Sequence, residues 1–471
     1  MTDTPTYIRF WSGLTSIGGT VISLDNGCHR LIFDFGLSYN PGEAYLDGQV
    51  KLRPTALVQD HLHLNMIPPI DGIYGRRNIG PSLDLVAAEE SDRQSAVLIS
   101  HLHLDHMGAM GLVHSDIPVY LTEDSHRLYQ ALEHIGEGVA GTRTYSTCEF
   151  DTPFPHGPFT ITPLAVDHDI PGACSFHIRT PHGSLLYTGD FRLHGQHPEI
   201  AYEWLEKAKA LGIDILISEG TTLRPHEEGQ NEPLLGDPAH PETLTTEAAL
   251  PVKILSIVGA TATLAVFNIY HRNLVRLATM LEVGQMSGRV VALEPETAYL
   301  AKKLLGRNDF SVYIGENTHA EQLSGQLTPW KKALLAELPQ VTAAMLRQNP
   351  SGYFVQNSYP NCLEMLDLLG IGGCYIHSNG MPLGSFDPAY PRLKKLLERL
   401  KLDYHYVGTS GHAIMQHLQY VSDELAPRVL VPLHSFNPHR LQANHGQQLL
   451  PTVGVVYQIQ EGLLQEIDRS H

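Results

Sequence analysis

Short apolar runs recur along the chain, each closed by a polar or glycine-rich stretch: SAVLIS (95–100), ITPLAV (161–166), SLLYTG (184–189), DILISE (214–219) and VLVPL (429–433). Their apolar character is continuous rather than alternating, which predicts strands covered on both faces. Between them, EDSHRLYQALEHIG (123–136) and AYEWLEKAKALG (201–212) space their apolar positions as helices do. Strands alternating with helices predict an α/β architecture. Near the start, IGGTVISL and HRLIFDFG flank Asp25-Asn26-Gly27, a hairpin in which the Asn-Gly pair supplies the positive φ values of the turn.

From Leu223 to about Leu250 the pattern lapses. The stretch RPHEEGQNEPLLGDPAHPE carries Pro225, Pro233, Pro238 and Pro241, which predicts an exposed loop and a module boundary. Beyond it, GRVVALEP then ETAYLAKKLLG, SGYFVQN, and GGCYIHS then PRLKKLLERL predict a second α/β module reaching about Lys401. The chain then returns to short strands and ends in the hairpin VVYQIQ-EG-LLQEI. The expected organisation is a first segment over 1–222, an insertion over 223–402 and a return over 403–471. The uncharged run Ile254 to Tyr270 is interrupted by Ser256, Gly259, Thr261, Thr263 and Asn268. It is short for a bilayer span of roughly 20 residues, and is expected to be a buried strand leading into a helix.

Composition sharpens the class. Among 471 residues there are 27 His, and 50 acidic against 32 basic side chains give a net charge of -18. This points to metal or proton chemistry and away from a generic basic nucleic-acid binder. Ample apolar content excludes disordered and coiled-coil classes. The N-terminus MTDTPTYIRFWSG lacks a basic leader before an apolar stretch. Five scattered cysteines without CxxC spacing fit a reduced compartment. The expectation is a cytoplasmic enzyme with no membrane partner.

The chemistry concentrates in SAVLISHLHLDHMGAMG, where a predicted strand runs into His101, His103, Asp105 and His106. In extended backbone His101 and His103 point the same way and can chelate one metal, while Asp105 and His106 are aimed at a neighbouring position. Two metals are implied. DHLHLNM repeats the spacing at His61 and His63 but has Asn65 and Met66 where the second pair would stand, so it is expected to be a loop or core-edge pair. A dinuclear site needs further ligands. Apolar runs ending in Asp34, His168, Asp190, Glu219, His412 and His434 offer them, and strand-end residues of this kind are expected to converge on one edge of a sheet.

Asp34, HLHLDH, His168 in AVDHDIPG and Asp190 in YTGDFR together resemble the metallo-β-lactamase superfamily. Glu219 in SEGTT, His412 in TSGHA and His434 in PLHSF resemble the added motifs of its β-CASP nucleases, with a ribonuclease J-like flavour; NIYHRNLVRL is similar to the helix that opens their inserted module. The resemblance implies a metallo-β-lactamase αββα sandwich with an inserted β-CASP α/β domain. It implies that His101, His103 and His168 hold one metal, that Asp105, His106 and His434 hold the other, and that Asp190 bridges them. The ions would be zinc or manganese.

The implied reaction is cleavage of single-stranded RNA by a hydroxide activated between two divalent metal ions. His412 would protonate the leaving oxygen or hydrogen-bond the phosphate, Glu219 would orient a ligand histidine, and Asp34 would support the metal loop. Ser410 and Gly411 of TSGHA would contact the substrate phosphate. DNA, or a small lactone or cyclic phosphodiester, are the alternative substrates. After His434 the sequence reads SFNPHR, not the Gly-Glu usual in ribonuclease J, and only 37 residues follow His434. Oligomerisation through a C-terminal domain is therefore not expected, and the oligomeric state stays open. Arg192, Arg272, Lys302 and Lys303 could line a basic groove, with a solvated surface role the expectation for each.

Overall fold

The computed structural model describes residues 4–38, 46, 50–223, 236–237, 240–241 and 243–467. Two compact units result. The first combines Met1–Tyr129, Val139–Leu244 and Gly411–His471; the second combines Gln130–Gly138 with Thr245–Ser410.

In the first unit the continuous apolar runs become two sheets. One has eight strands, with Thr6–Ser12, Val21–Asn26 and His29–Phe33 antiparallel, then Gln94–Leu98, Val119–Thr122 and Ser146–Cys148 added in parallel. The C-terminal hairpin Val456–Gln460 and Leu463–Glu466 completes it by pairing with Thr6–Ser12. The other sheet has seven strands. Its centre is Gly183–Tyr187, Ile215–Ser218 and Val429–Pro432 in parallel. Phe159–Ala165 and Cys174–Thr180 flank them.

Phe10, Leu31 and Phe33 of the first sheet and Phe176, Ile178, Leu185, Ile217 and Val431 of the second share one buried cluster, so the two sheets face each other across a common core. The helices Pro198–Leu211 and Met415–Leu425 cover the outer face of the second sheet through Trp204, Leu205, Leu418 and Val421. The central strands Gly183–Tyr187, Ile215–Ser218 and Val429–Pro432 thus have apolar neighbours on both sides, as their unbroken hydrophobicity requires.

The second unit is a seven-stranded parallel sheet in the order Gln340–Thr342, Ser311–Ile314, Val290–Leu293, Tyr353–Gln356, Leu264–Ile269, Gly373–Ser378 and Leu402–Tyr406. Helices such as Leu274–Ser287 and Tyr390–Leu400 connect successive strands.

Two sequence expectations need correction here. The run Ile254 to Tyr270 is a helix, Leu250–Ala260, leading into a strand, Leu264–Ile269, the reverse of the expected order. In the first hairpin Asn26 still belongs to its strand and pairs with His29, and of the Asn-Gly pair only Gly27 takes positive φ (60°). The proline-rich stretch 224–242 lies almost wholly outside the described residues. Among those described, no helix is long and apolar enough to cross a membrane.

Candidate metal centre

The strand Gln94–Leu98 delivers Ser100, His101 and His103, and a single helical turn, Leu104–Met107, then carries Asp105 and His106. Backbone bonds clamp this loop onto both ends of the first hairpin: Gly19 N donates to Asp105 O at 2.9 Å and Phe35 N to His106 O at 2.8 Å. Gly36 makes the approach feasible, since a Cβ there would lie 1.7 Å from the Asp105 carbonyl oxygen. The remaining residues arrive from the carboxyl ends of Phe159–Ala165 (His168), Gly183–Tyr187 (Asp190), Ile215–Ser218 (Glu219) and Val429–Pro432 (His434). Asp34 ends His29–Phe33 of the other sheet, and His412 follows the last strand of the parallel sheet. The expected single sheet edge is therefore wrong. Strand ends of two facing sheets, with a loop of the returning chain, converge instead.

His101, His103, His168 and Asp190 each offer a donor atom, all within 4.8 Å of one another; Asp105, His106 and His434 form a second such group. His103 Nδ1 lies 3.2 Å from His101 Nε2 and 3.1 Å from His168 Nε2. In the second group His434 Nε2 lies 3.0 Å from His106 Nε2 and 3.2 Å from Asp105 Oδ2. Donors on a tetrahedral metal with bonds of about 2.0–2.1 Å stand about 3.3 Å apart, which is this spacing. Asp190 Oδ2 reaches both groups, at 3.6 Å from His101 Nε2 and 3.1 Å from His106 Nε2.

The donor chemistry fits divalent ions on a further ground. A metal-bound imidazole needs one nitrogen free for the ion and the other held by the protein. His101 Nδ1 meets Ser100 Oγ at 3.0 Å, and His106 Nδ1 meets Asp34 Oδ2 at 2.7 Å. His168 Nδ1 meets the Gly411 carbonyl at 2.5 Å, and His434 Nδ1 meets Thr221 Oγ1 at 2.8 Å. In all four the other nitrogen faces the centre. Both oxygens of Asp190 are buried without a hydrogen bond in good geometry, a costly state for a carboxylate that no cation compensates.

Burial pushes the imidazoles of His101 and His168 down, His168 to about 3, which keeps them neutral as ligands must be. His106 goes the other way: burial opposes its charge, but Asp190, Asp105 and Asp34 surround it and hold it well above the ordinary value. A proton on His106 and a metal ion are thus alternative occupants of one carboxylate field.

His412 stands beside both groups, its Nδ1 3.2 Å from Glu219 Oε2 and 3.5 Å from Asp190 Oδ2. Burial works against its charge, yet Glu219 and Asp190 raise it to about 10. Glu219 is itself fixed, accepting from Phe191 N at 3.1 Å and Thr221 N at 3.3 Å. The histidine it touches is His412, not one of the two three-residue ligand sets. Asp34 accepts from Ser100 N (2.7 Å), Ser100 Oγ (2.9 Å) and Tyr187 Oη (2.5 Å) while holding His106.

Ser410 is half-buried, and the Gly411 carbonyl is already engaged by His168. His61 and His63 lie on the short helix Leu57–His63, His61 buried with Nδ1 2.7 Å from Leu57 O, and neither belongs to a metal-like group. Two of the four groove candidates are not solvated. Arg192 is buried and donates to Asp167 at 2.8 Å, and Arg272 is buried beside Glu137 at 3.2 Å. Lys302 pairs with Glu337, and Lys303 is exposed. Sequence reasoning missed Ser100, Tyr187, Thr221 and Asp169. Only Asp169 had a signal, as the neighbour of His168 in AVDHDIPG; it lies 3.4 Å from both His103 Nε2 and His168 Nε2.

Comparison with known proteins gives the same direction. Residues 77–266 match a beta-lactamase superfamily domain. A ribonuclease J of Pyrococcus abyssi is 30% identical over 134 residues, covering 27% of this chain and 30% of its own length. That of Corynebacterium glutamicum is 24% identical over 226 residues, 44% of this chain and 25% of the relative. The aligned stretches thus span about a quarter to a third of these relatives. A crystal structure of a protein of unknown function from Enterococcus faecalis V583 superposes with a TM-score of 0.76 at 27% identity, over 98% of this chain and 100% of that one.

Proposed function

The chain is a metallo-β-lactamase superfamily protein of the ribonuclease J-like kind, and from that premise we propose a cytoplasmic, metal-dependent phosphodiesterase that cleaves single-stranded RNA. The observation that carries the reading is the pair of donor groups with Asp190 Oδ2 3.6 Å from His101 Nε2 of one and 3.1 Å from His106 Nε2 of the other, beside the His412–Glu219 pair. His101, His103 and His168 would hold one ion and Asp105, His106 and His434 the other, with Asp190 between. Two such ions, zinc or manganese, would acidify a water and neutralise the phosphoryl oxygens.

The chain's own residues do the rest. His412, its Nδ1 held 3.2 Å from Glu219 Oε2, would hydrogen-bond the anionic substrate and donate a proton to the leaving oxygen. Glu219 keeps that ring oriented. Asp34 fixes His106 so that its Nε2 faces the centre. Ser410 and Gly411, immediately before His412, are assigned to the substrate phosphate. The β-CASP insertion is assigned to 223–402, which overlaps most of the second unit, Thr245–Ser410 with Gln130–Gly138.

A net charge of -18 favours a second reading, hydrolysis of a small lactone or cyclic phosphodiester by the same residues. Matched RNA and DNA strands and a generic phosphodiester, each incubated with Mn²⁺ or Zn²⁺, distinguish these. The proposal expects RNA to be cleaved, and loss of that cleavage in His103→Ala and Asp190→Ala. Turnover of the small ester alone would replace it with the second reading.

A further inference from the structure

Four of the five ligand-type histidines have a protein partner on the nitrogen that faces away from the centre. His103 is the fifth and is turned the other way round. Its Nδ1 is the atom that converges with His101 Nε2 and His168 Nε2, so a proton on this ring must sit on Nε2 if Nδ1 is to serve as a ligand. Asp169 Oδ1 lies 3.4 Å from that Nε2. The same oxygen is buried without a hydrogen bond in good geometry, although the Asp169 side chain as a whole is 15% exposed. It lies outside the four-donor group of His101, His103, His168 and Asp190.

Its position is fixed by packing. A Cβ on Gly411 would lie 2.6 Å from Asp169 Oδ1, so the bare backbone of Gly411 forms the wall against which the carboxylate rests. His168, whose Nδ1 is bonded to the Gly411 carbonyl, precedes Asp169 directly. One short segment thus carries both a ring of the three-histidine group and the carboxylate beside a second ring, its Oδ1 3.4 Å from His103 Nε2 and from His168 Nε2 alike.

We propose that Asp169 is the positioning residue of His103: its carboxylate accepts the Nε2 proton, fixes the tautomer that frees Nδ1, and so sets the affinity of the three-histidine site for a divalent cation. This rests on reading the centre as a metal site, not on the substrate. Outer carboxylates of this kind are worth roughly 10–100-fold in metal affinity.

The test is competition between the full chain and a chromophoric chelator for Zn²⁺, with the bound ions counted, in wild type, Asp169→Ala and Asp169→Asn. A second readout is the hyperfine-shifted ring N–H proton resonances of the Co²⁺-loaded protein, which a general loss of packing would not remove one at a time. Asp169→Ala should weaken one of two ions by roughly 10–100-fold and lose one N–H resonance to solvent exchange. Asp169→Asn, which keeps an acceptor oxygen, should restore the resonance and lie closer to wild type. Two ions bound with unchanged affinity and every resonance retained in Asp169→Ala would overturn the assignment. Equal weakening in both variants with the resonance retained would also overturn it, making the effect one of charge alone. A wild-type protein that binds no ion would overturn the metal reading beneath it.

Discussion

Asp34 shows how much one side chain can organise. It holds φ at 56°, a conformation few non-glycine residues adopt, and from there accepts from Ser100, Tyr187 and His106. Asp34→Ala would strand several buried donors and should cost the metal-free protein at least about 2–3 kcal/mol, read by chemical denaturation. Asp34→Asn, which tolerates the same φ, should recover part of that loss. Unchanged stability in Asp34→Ala would mean the network is slack. Glu219→Gln addresses the neighbouring pair. Without the carboxylate, His412 loses its main countercharge, so turnover of RNA should fall by about 10²-fold or more while metal content stays at the wild-type level.

At this scale HxHxDH was legible because its four residues lie within six positions. Ser100, Tyr187 and Thr221 were not legible, because each takes its meaning from a partner far along the chain, such as Tyr187 from Asp34, 153 residues away.

Among the elements, the helix Leu250–Ala260 explains why one segment was misread. Its buried positions Leu250, Ile254 and Val258 repeat every four residues, a helical stripe, and Pro251 occupies its first turn. The following LAVFNI is buried throughout. No charge or proline separates the two, so strand and helix were expected in the reverse order; the proline at the start of the helix was the usable signal. The helix Leu274–Ser287 is anchored by Arg276, fully buried, with Nε 2.6 Å from Glu247 and Nη1 2.6 Å from Ser378 Oγ. Arg276→Met would remove the guanidinium that meets the buried Glu247 carboxylate, and should destabilise the protein by about 3–5 kcal/mol in denaturant titrations.

The strand Gly373–Ser378 supplies a pH test. Burial pushes His377 down to about 4, so its folded pKa lies below its unfolded one. Its neutral form contributes fully above about pH 6.5, and that stability is lost as pH falls toward 4, by at most about 3 kcal/mol. His377→Gln should flatten the decline between pH 7 and 4.5. A decline of the same size in the variant would assign it to other groups.

For the whole molecule, the charge of -18 changes meaning once Arg192 and Arg272 are found paired inside the protein. If the proposed substrate is right, the bound cations of the centre would supply much of the attraction for the polyanion. Cleavage should accordingly depend on divalent metal more steeply than on monovalent salt, a comparison that rate titrations against each make directly. Two α/β modules with strands covered on both faces were readable from buried runs and intervening helices, whereas the two-layer sandwich was expected only from the family resemblance. That Gln130–Gly138 clusters with the second unit was not readable, since Gln130–Ile135 continue the helix Glu123–Ile135, whose start belongs to the first unit, and Glu137 meets His271 and Arg272 only in the folded chain.

The central claim is metal-dependent cleavage of single-stranded RNA at this centre. Its most direct test is digestion of a 5′-end-labelled single-stranded RNA with Mn²⁺ or Zn²⁺, with and without chelator, by wild type and His103→Ala. Shortened products are expected only from wild type with metal. RNA left intact by the metal-loaded wild type, or cleaved equally well by His103→Ala, would contradict it.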